Sequence, residues 1–188
     1  MKTVDTNGWL VWDVETNMLP EHKVRGGFYK RAFKMICLVT QDIGTGEVRR
    51  FREGDEDEMF DYLMASPRWV GHNLRGFDAP ALGNIYPNMN SALRGHPMID
   101  TLVASREMYP NNKLSQFDTK KGLPQTKALH SLKSWGYRFG DNKIEAFLDT
   151  NWETQPWTEE LEEYCVQDVH VNLLVFKKIM KDKGFNIK

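Results

Sequence analysis

The run Trp9-Leu10-Val11-Trp12-Asp13-Val14-Glu15-Thr16 constrains this chain more than any other stretch. Apolar, β-branched and aromatic, it reads as a buried strand, yet two carboxylates sit near its end. Side chains alternate across a strand, so Asp13 and Glu15 share a face. Two like charges on one side of a core strand are costly unless something neutralises them. A divalent cation does so directly, and hard oxygen ligands suit Mg2+ or Mn2+. The other reading ends the strand at Val14 and leaves Glu15 in water.

The length, 188 residues, fits a single domain over 1–188 that can bury a proper core. A composition of 40% hydrophobic and 27% charged residues is that of an ordinary soluble globular protein. The opening Met1 to Gly8 lacks an apolar signal core, and no run approaches the ~20 apolar residues a bilayer demands. A cytoplasmic protein with no membrane partner is expected. Cys37 and Cys165 lie in apolar segments and read as reduced core residues. The net charge of −1 argues against coating long duplex nucleic acid but leaves room for a grip on a few nucleotides. Lys23, Arg25, Lys30, Arg31 and Lys34 crowd a segment that also holds Phe28, Tyr29 and Phe33. That mixture suits single-stranded nucleic acid, or a solvated hairpin whose aromatics pack inward.

Further strands are expected over 33–40, 48–51, 69–72 and 97–101, the first pair joined by turn chemistry at Asp42-Ile-Gly-Thr-Gly46. Helices are expected over 55–65, 77–86, from 101 to about 108, 126–135 and from about 158 to 183. Residues 109–125 hold Pro110, Gly122 and Pro124 and read as a long loop whose Lys113, Lys120 and Lys121 reach toward phosphates. In the last helix Val166, Val169, Leu173, Phe176 and Met180 recur at three-four spacing as a core face. Three antiparallel strands followed by alternating helices and strands imply an α/β layer fold with a mixed sheet.

Two later stretches join the first. Gly71-His-Asn73-Leu-Arg-Gly-Phe77-Asp78-Ala-Pro80 links a strand to a helix, where open α/β sheets tend to carry their sites. Asp78 also reads as a helix N-cap with proline in the first turn. In Tyr164-Cys-Val-Gln-Asp168 the tyrosine and the carboxylate stack on one helical face, either as a surface pair or as a water-orienting group beside a metal ligand. Asp-x-Glu, then Asn-x-x-x-Phe-Asp, then Tyr-x-x-x-Asp resembles the three exonuclease motifs of the Asp-Glu-Asp-Asp, or DnaQ-like, branch of the ribonuclease H-like fold, in its tyrosine (DEDDy) subtype. The histidine subtype needs His where Glu163 stands, so His130 and His170 are taken as structural. Ile99-Asp100-Thr101-Leu102-Val103 and the run Leu129 to Gly140 extend the likeness to the proofreading domain of phage family A DNA polymerases, here without fingers, palm or thumb.

That resemblance implies a ribonuclease H-like α/β fold with a mixed five-stranded sheet flanked by helices. It implies two divalent cations, Mg2+ or Mn2+, held by Asp13, Glu15, Asp78 and Asp168, with Tyr164 orienting the attacking water. Thr16, Asn73 and Phe77 are expected at the substrate. Met18 or Leu19 would by position alone wedge against the terminal base, with core packing the preferred reading, and Asp100 is expected to cap the following helix. The implied activity is 3′–5′ exodeoxyribonuclease action on single-stranded or frayed DNA ends, in the host cytoplasm if phage-encoded, with a DNA polymerase as a candidate partner. An exoribonuclease and a non-catalytic nucleic-acid or polymerase-binding module are the alternatives.

Overall fold

The computed structural model describes residues 2–141 and 150–187. The chain opens on a short strand, β1 (Lys2–Val4), and the acid-bearing run forms β2 (Leu10–Met18). β3 (Ala32–Asp42) and β4 (Val48–Arg52) follow, then α1 (Glu56–Ala65), β5 (Trp69–Gly71), α2 (Asp78–Ile85), α3 (Asn90–Gly95), β6 (Met98–Asp100) and α4 (Thr101–Met108). α5 (Asn111–Lys121), α6 (Leu132–Phe139), α7 (Glu159–Asp182) and β7 (Phe185–Ile187) complete the order. Five strands make one mixed sheet in the order β4-β3-β2-β5-β6, with β2–β3 and β3–β4 antiparallel and β2–β5 and β5–β6 parallel. β1 pairs in parallel with β7 as a separate two-stranded ribbon that sequence reasoning did not anticipate.

Strand alternation sorts the core into two layers. Trp12, Val14, Leu38 and Phe51 pack with Met59, Leu63 and Leu82 of α1 and α2, and Trp12 meets Trp69 edge-on at 5.4 Å. On the opposite face Val11, Cys37, Val39 and Val70 pack against Cys165, Val169, Leu173 and Phe176 of α7. Both cysteines are free and buried. α7 begins as expected, with Thr158 Oγ1 accepting from Leu161 N at 3.1 Å. Glu162 is buried in its first turn, where Arg52 of β4 forks onto it at 2.8 and 2.9 Å. These hydrogen bonds hold its carboxyl below the usual carboxylate range.

The structure corrects two expectations in the middle of the chain. Residues 111–121, expected as loop, form α5, which ends on Gly122 in the left-handed region (φ +66°). Its composition is polar because only Leu114 and Asp118 face inward; Asp118 is gripped by Arg138 of α6 at 2.7 and 2.6 Å, both side chains buried. The next helix spans Leu132–Phe139 rather than 126–135. Ser131 starts it by accepting from Ser134 N, and Gly140 at φ +71° stops it. The basic and aromatic segment is neither a hairpin nor packed inward. It forms two 3₁₀ turns, Glu21–Lys23 and Phe28–Arg31, with Phe28 and Phe33 exposed. Among the described residues no helix is long and apolar enough to cross a membrane.

Candidate active site

β2 delivers two acids to one place because its alternation is kept through Glu15. Val11, Asp13 and Glu15 face the α7 layer, while Trp12 and Val14 are committed to the other core. Between Glu15 and Thr16 the register against β3 shifts, from Glu15 opposite Cys37 to Thr16 opposite Met35, so that Ile36 is skipped. Beyond the shift the strand no longer serves the acid-bearing face. Thr16 is buried, and Met18 N donates to Trp152 O at 3.0 Å. Arg31 Nε donates to Leu19 O at 2.6 Å.

α7 crosses beneath the acids and brings Cys165 and Asp168. Cys165 Sγ lies 3.5 Å from Asp13 O and 3.7 Å from Asp13 Oδ2, and its sulfur and the Asp13 and Glu15 carboxylate oxygens fall within 4.8 Å of one another. Burial pushes the thiol well above its ordinary range, so it stays protonated and acts as a weak donor to Asp13. The groups left to ligate a cation are all carboxylate oxygens, the donor set of a hard divalent ion.

Asp78 arrives from the loop 71–77. Asn73 takes the left-handed conformation there (φ +66°), and its carbonyl accepts from Gly76 N and Phe77 N at 2.9 and 2.8 Å. Asp100 holds that loop as well as capping α4. Its Oδ1 accepts from Asn73 N, Leu102 N and Val103 N at 3.1, 3.0 and 3.3 Å, and its Oδ2 from Arg75 N at 3.1 Å. The expected cap is present, together with a clamp on the site loop that the sequence did not announce. Asp78 itself is the first residue of α2 and not its N-cap; that place is taken by Phe77, with no side-chain cap bond. The Asp78 carboxyl is 3% exposed. Burial pushes it up to about 7, Asp100 and Asp168 add repulsion, and the backbone N–H groups of Asp78 and Val14 partly offset both. A buried carboxyl that ionises reluctantly beside other acids is suited to a cation.

Asp13, Glu15, Asp78 and Asp168 all line one cleft of about 820 Å³, as do Asn73 and Phe77. Thr16, Met18 and Leu19 are not on its wall, and neither is Tyr164, half-buried one turn before Asp168 on α7. The other lining residues were not foreseen. Arg106, Asn111 and Lys127 are exposed side chains that no motif marks. His130 also lines the cleft, buried and bonded to Ser105 Oγ at 3.0 Å and Asn111 Oδ1 at 2.8 Å. Burial, with Arg106 and Arg138 nearby, lowers its proton affinity and keeps it neutral at pH 7. His72 Nδ1 meets Thr101 Oγ1 at 3.0 Å.

No protein-family model matches the chain. Over alignments of 204 residues it is 31% identical to the DNA-directed DNA polymerase of Enterobacteria phage T3 and 30% identical to that of Escherichia phage T7. Each alignment covers 94% of this chain but 27% of the polymerase. Among solved structures, the Nibbler EXO domain of Aedes aegypti superposes with a TM-score of 0.59 at 8% identity, over 96% of this chain and 82% of that one. A nuclease in its apo form gives 0.57 at 18% identity over 95% and 76%. The family B DNA polymerase of Pyrobaculum calidifontis gives 0.52 at 14% identity over 92% of this chain and 24% of the polymerase. A five-stranded sheet with its acids gathered beneath α7, similar in sequence to about a quarter of two phage polymerases and superposing on a nuclease and an EXO domain, gives the chain the ribonuclease H-like α/β fold.

Proposed function

We propose that this chain hydrolyses the last phosphodiester bond at the 3′ end of single-stranded or frayed DNA and releases nucleoside 5′-monophosphates. The observation that carries the proposal is the meeting of Asp13, Glu15, Asp78 and Asp168, from three separate elements, on one cleft wall. Two divalent cations, Mg2+ or Mn2+, would supply a hydroxide nucleophile at neutral pH and Lewis-acid stabilisation of the charge that builds on the phosphate. Asp13 would be shared between them, with Glu15 and Asp168 completing one ligand set and Asp78 the other.

The remaining residues position and neutralise. Arg106 and Lys127 have no anionic partner among the described residues and line the same cleft as the acids, where they would neutralise a bound phosphodiester. Asn73 and Phe77 shape the cleft for a sugar and a base. Tyr164 would orient the attacking water, a role that requires its hydroxyl to reach a wall it does not line here. Thr16, Met18 and Leu19 lie off the wall, so any contact they make would be with nucleotides outside the cleft. DNA is favoured over RNA by the polymerase relatives, and a polymerase remains the natural partner to test.

The test is incubation of purified protein with 5′-labelled single-stranded DNA and RNA of one sequence, with Mg2+, Mn2+ or chelator. Metal-dependent laddering from the 3′ end of DNA is expected. RNA preference would turn the reading to an exoribonuclease, and no metal-dependent product on either strand would leave a binding module.

A further inference from the structure

Beyond the cleft, hydrolysis chemistry has no use for the exposed aromatic and cationic surface around the turn Phe28–Arg31. Phe28 is 58% exposed, the highest value among the described large apolar side chains. A lone exposed apolar residue means little. This one is not alone. Its ring lies 5.3 Å from that of Phe77, tilted by 42°, and Phe77 lines the cleft immediately before Asp78. The Arg31 guanidinium stands 5.1 Å from the Phe28 centroid, and behind it Arg94 covers Tyr29 at 5.4 Å.

The turn is held in place rather than left to drift. Leu19 N donates to Arg31 O at 2.8 Å, Arg31 Nε returns a bond to Leu19 O, and Asn84 of α2 donates to Ala32 O at 2.7 Å. The charge around it is only partly spent. Lys23 pairs with Glu153 and Lys34 with Glu53, whereas Arg25, Lys30 and Arg31 have no anionic partner among the described residues. A fixed exposed ring, a second ring leading to the acids and unspent cations alongside are the components that hold single-stranded nucleic acid.

We propose that Phe28 is a stacking platform for the nucleotide next to the 3′-terminal one, with Arg31 and the unspent cations meeting its phosphate. The proposal rests on the exonuclease reading for the direction of the strand but on its own surface for the contact. It makes the substrate an end with at least two unpaired nucleotides and adds a residue that no catalytic motif contains.

The test uses a fluorescein-labelled 12-residue oligothymidylate and the same strand with an abasic site second from the 3′ end. Binding is read by anisotropy with Ca2+ in place of Mg2+, and hydrolysis separately with Mg2+. A base–aromatic stack is worth ~1–3 kcal/mol; at the middle of that range, Phe28→Ala should weaken binding of the intact strand about thirtyfold, and Phe28→Trp should restore it. The abasic site should cost wild-type protein about the same factor and cost Phe28→Ala nothing further, because the partner of the ring is already gone. Equal affinity of wild type and Phe28→Ala for the intact strand would overturn the proposal, as would an abasic penalty undiminished in the variant. A Phe28-dependent affinity without any hydrolysis would support the platform while removing the exonuclease reading.

Discussion

Replacing Asp78 by asparagine should make the metal-free protein more stable while destroying its function. The carboxyl is 3% exposed and is pushed from 3.8 to about 7, first by burial and then by Asp100 and Asp168. In the unfolded chain it ionises near its ordinary value. Below pH 4 both states hold the proton and Asp78 contributes nothing. Between pH 4 and 7 the unfolded chain gives up the proton while the folded protein keeps it, so stability falls as pH rises; above pH 7 the full penalty is present. A rise of about 3.2 pH units at ~1.36 kcal/mol each sets a ceiling of about 4 kcal/mol. Asparagine keeps the size and an acceptor for the Val14 N–H but never ionises, and exchanging the acid for an amide forfeits part of that sum. The expected gain at pH 8 is about 2–4 kcal/mol, or ~5–15 °C in Tm for a chain of this length. Urea and thermal unfolding of both proteins in chelator, at half-unit steps from pH 4 to 8, measure it. The difference should vanish near pH 4 and grow toward pH 8. Adding Mg2+ should then stabilise wild type and leave Asp78→Asn nearly unmoved. A variant that is no more stable than wild type at pH 8, or a difference that does not change with pH, would refute the account of why these acids are held together.

Asp13→Ala should lower hydrolysis at least a thousandfold and leave the far-UV circular dichroism unchanged, since the side chain sits on the cleft rather than in a core layer. Arg106→Glu and Lys127→Glu should each raise KM for DNA several-fold and flatten its dependence on salt, measured as initial rates from 50 to 200 mM NaCl. Tyr164→Phe should cut kcat by ~10- to 100-fold with little change in KM if its hydroxyl orients the water, read from steady-state rates on a single strand. Asp100→Ala removes acceptors from four backbone N–H groups and should cost about 2–4 kcal/mol in urea unfolding, with hydrolysis falling further than stability because the loop before Asp78 loses its clamp.

How much of this was legible depended on how local the signal was. That Asp13 and Glu15 meet was readable because side chains two apart on a strand share a face, and the strand runs on past Val14. Asp78 was ambiguous: Asp-Ala-Pro has the composition of a cap, and only the packing of β2 beneath α2 shows the carboxyl turned into the cleft. The cap at Asp100 was visible, but its grip on Asn73 and Arg75 joins positions more than twenty residues apart and has no pattern in one dimension. The other lining residues were invisible for the same reason that α5 was missed. That helix turns two positions inward, Leu114 and Asp118, and one of them is charged, so hydrophobic periodicity had nothing to report. Arg106 and Asn111 depend on where α4 and α5 come to rest, and Lys127 on the segment that joins α5 to α6. β1 and β7 are three residues each, below the length at which alternation carries information.

The Asp100 carboxylate also sets a rule for replacement at its position. Both of its oxygens are aimed at backbone donors, three at one and one at the other. Asparagine, the nearest substitute in shape, would point an amide NH2 at one of those donors, hydrogen facing hydrogen, and glutamate would overshoot them by a methylene. A carboxylate spent on four backbone donors is thus as tightly prescribed as a ligand would be.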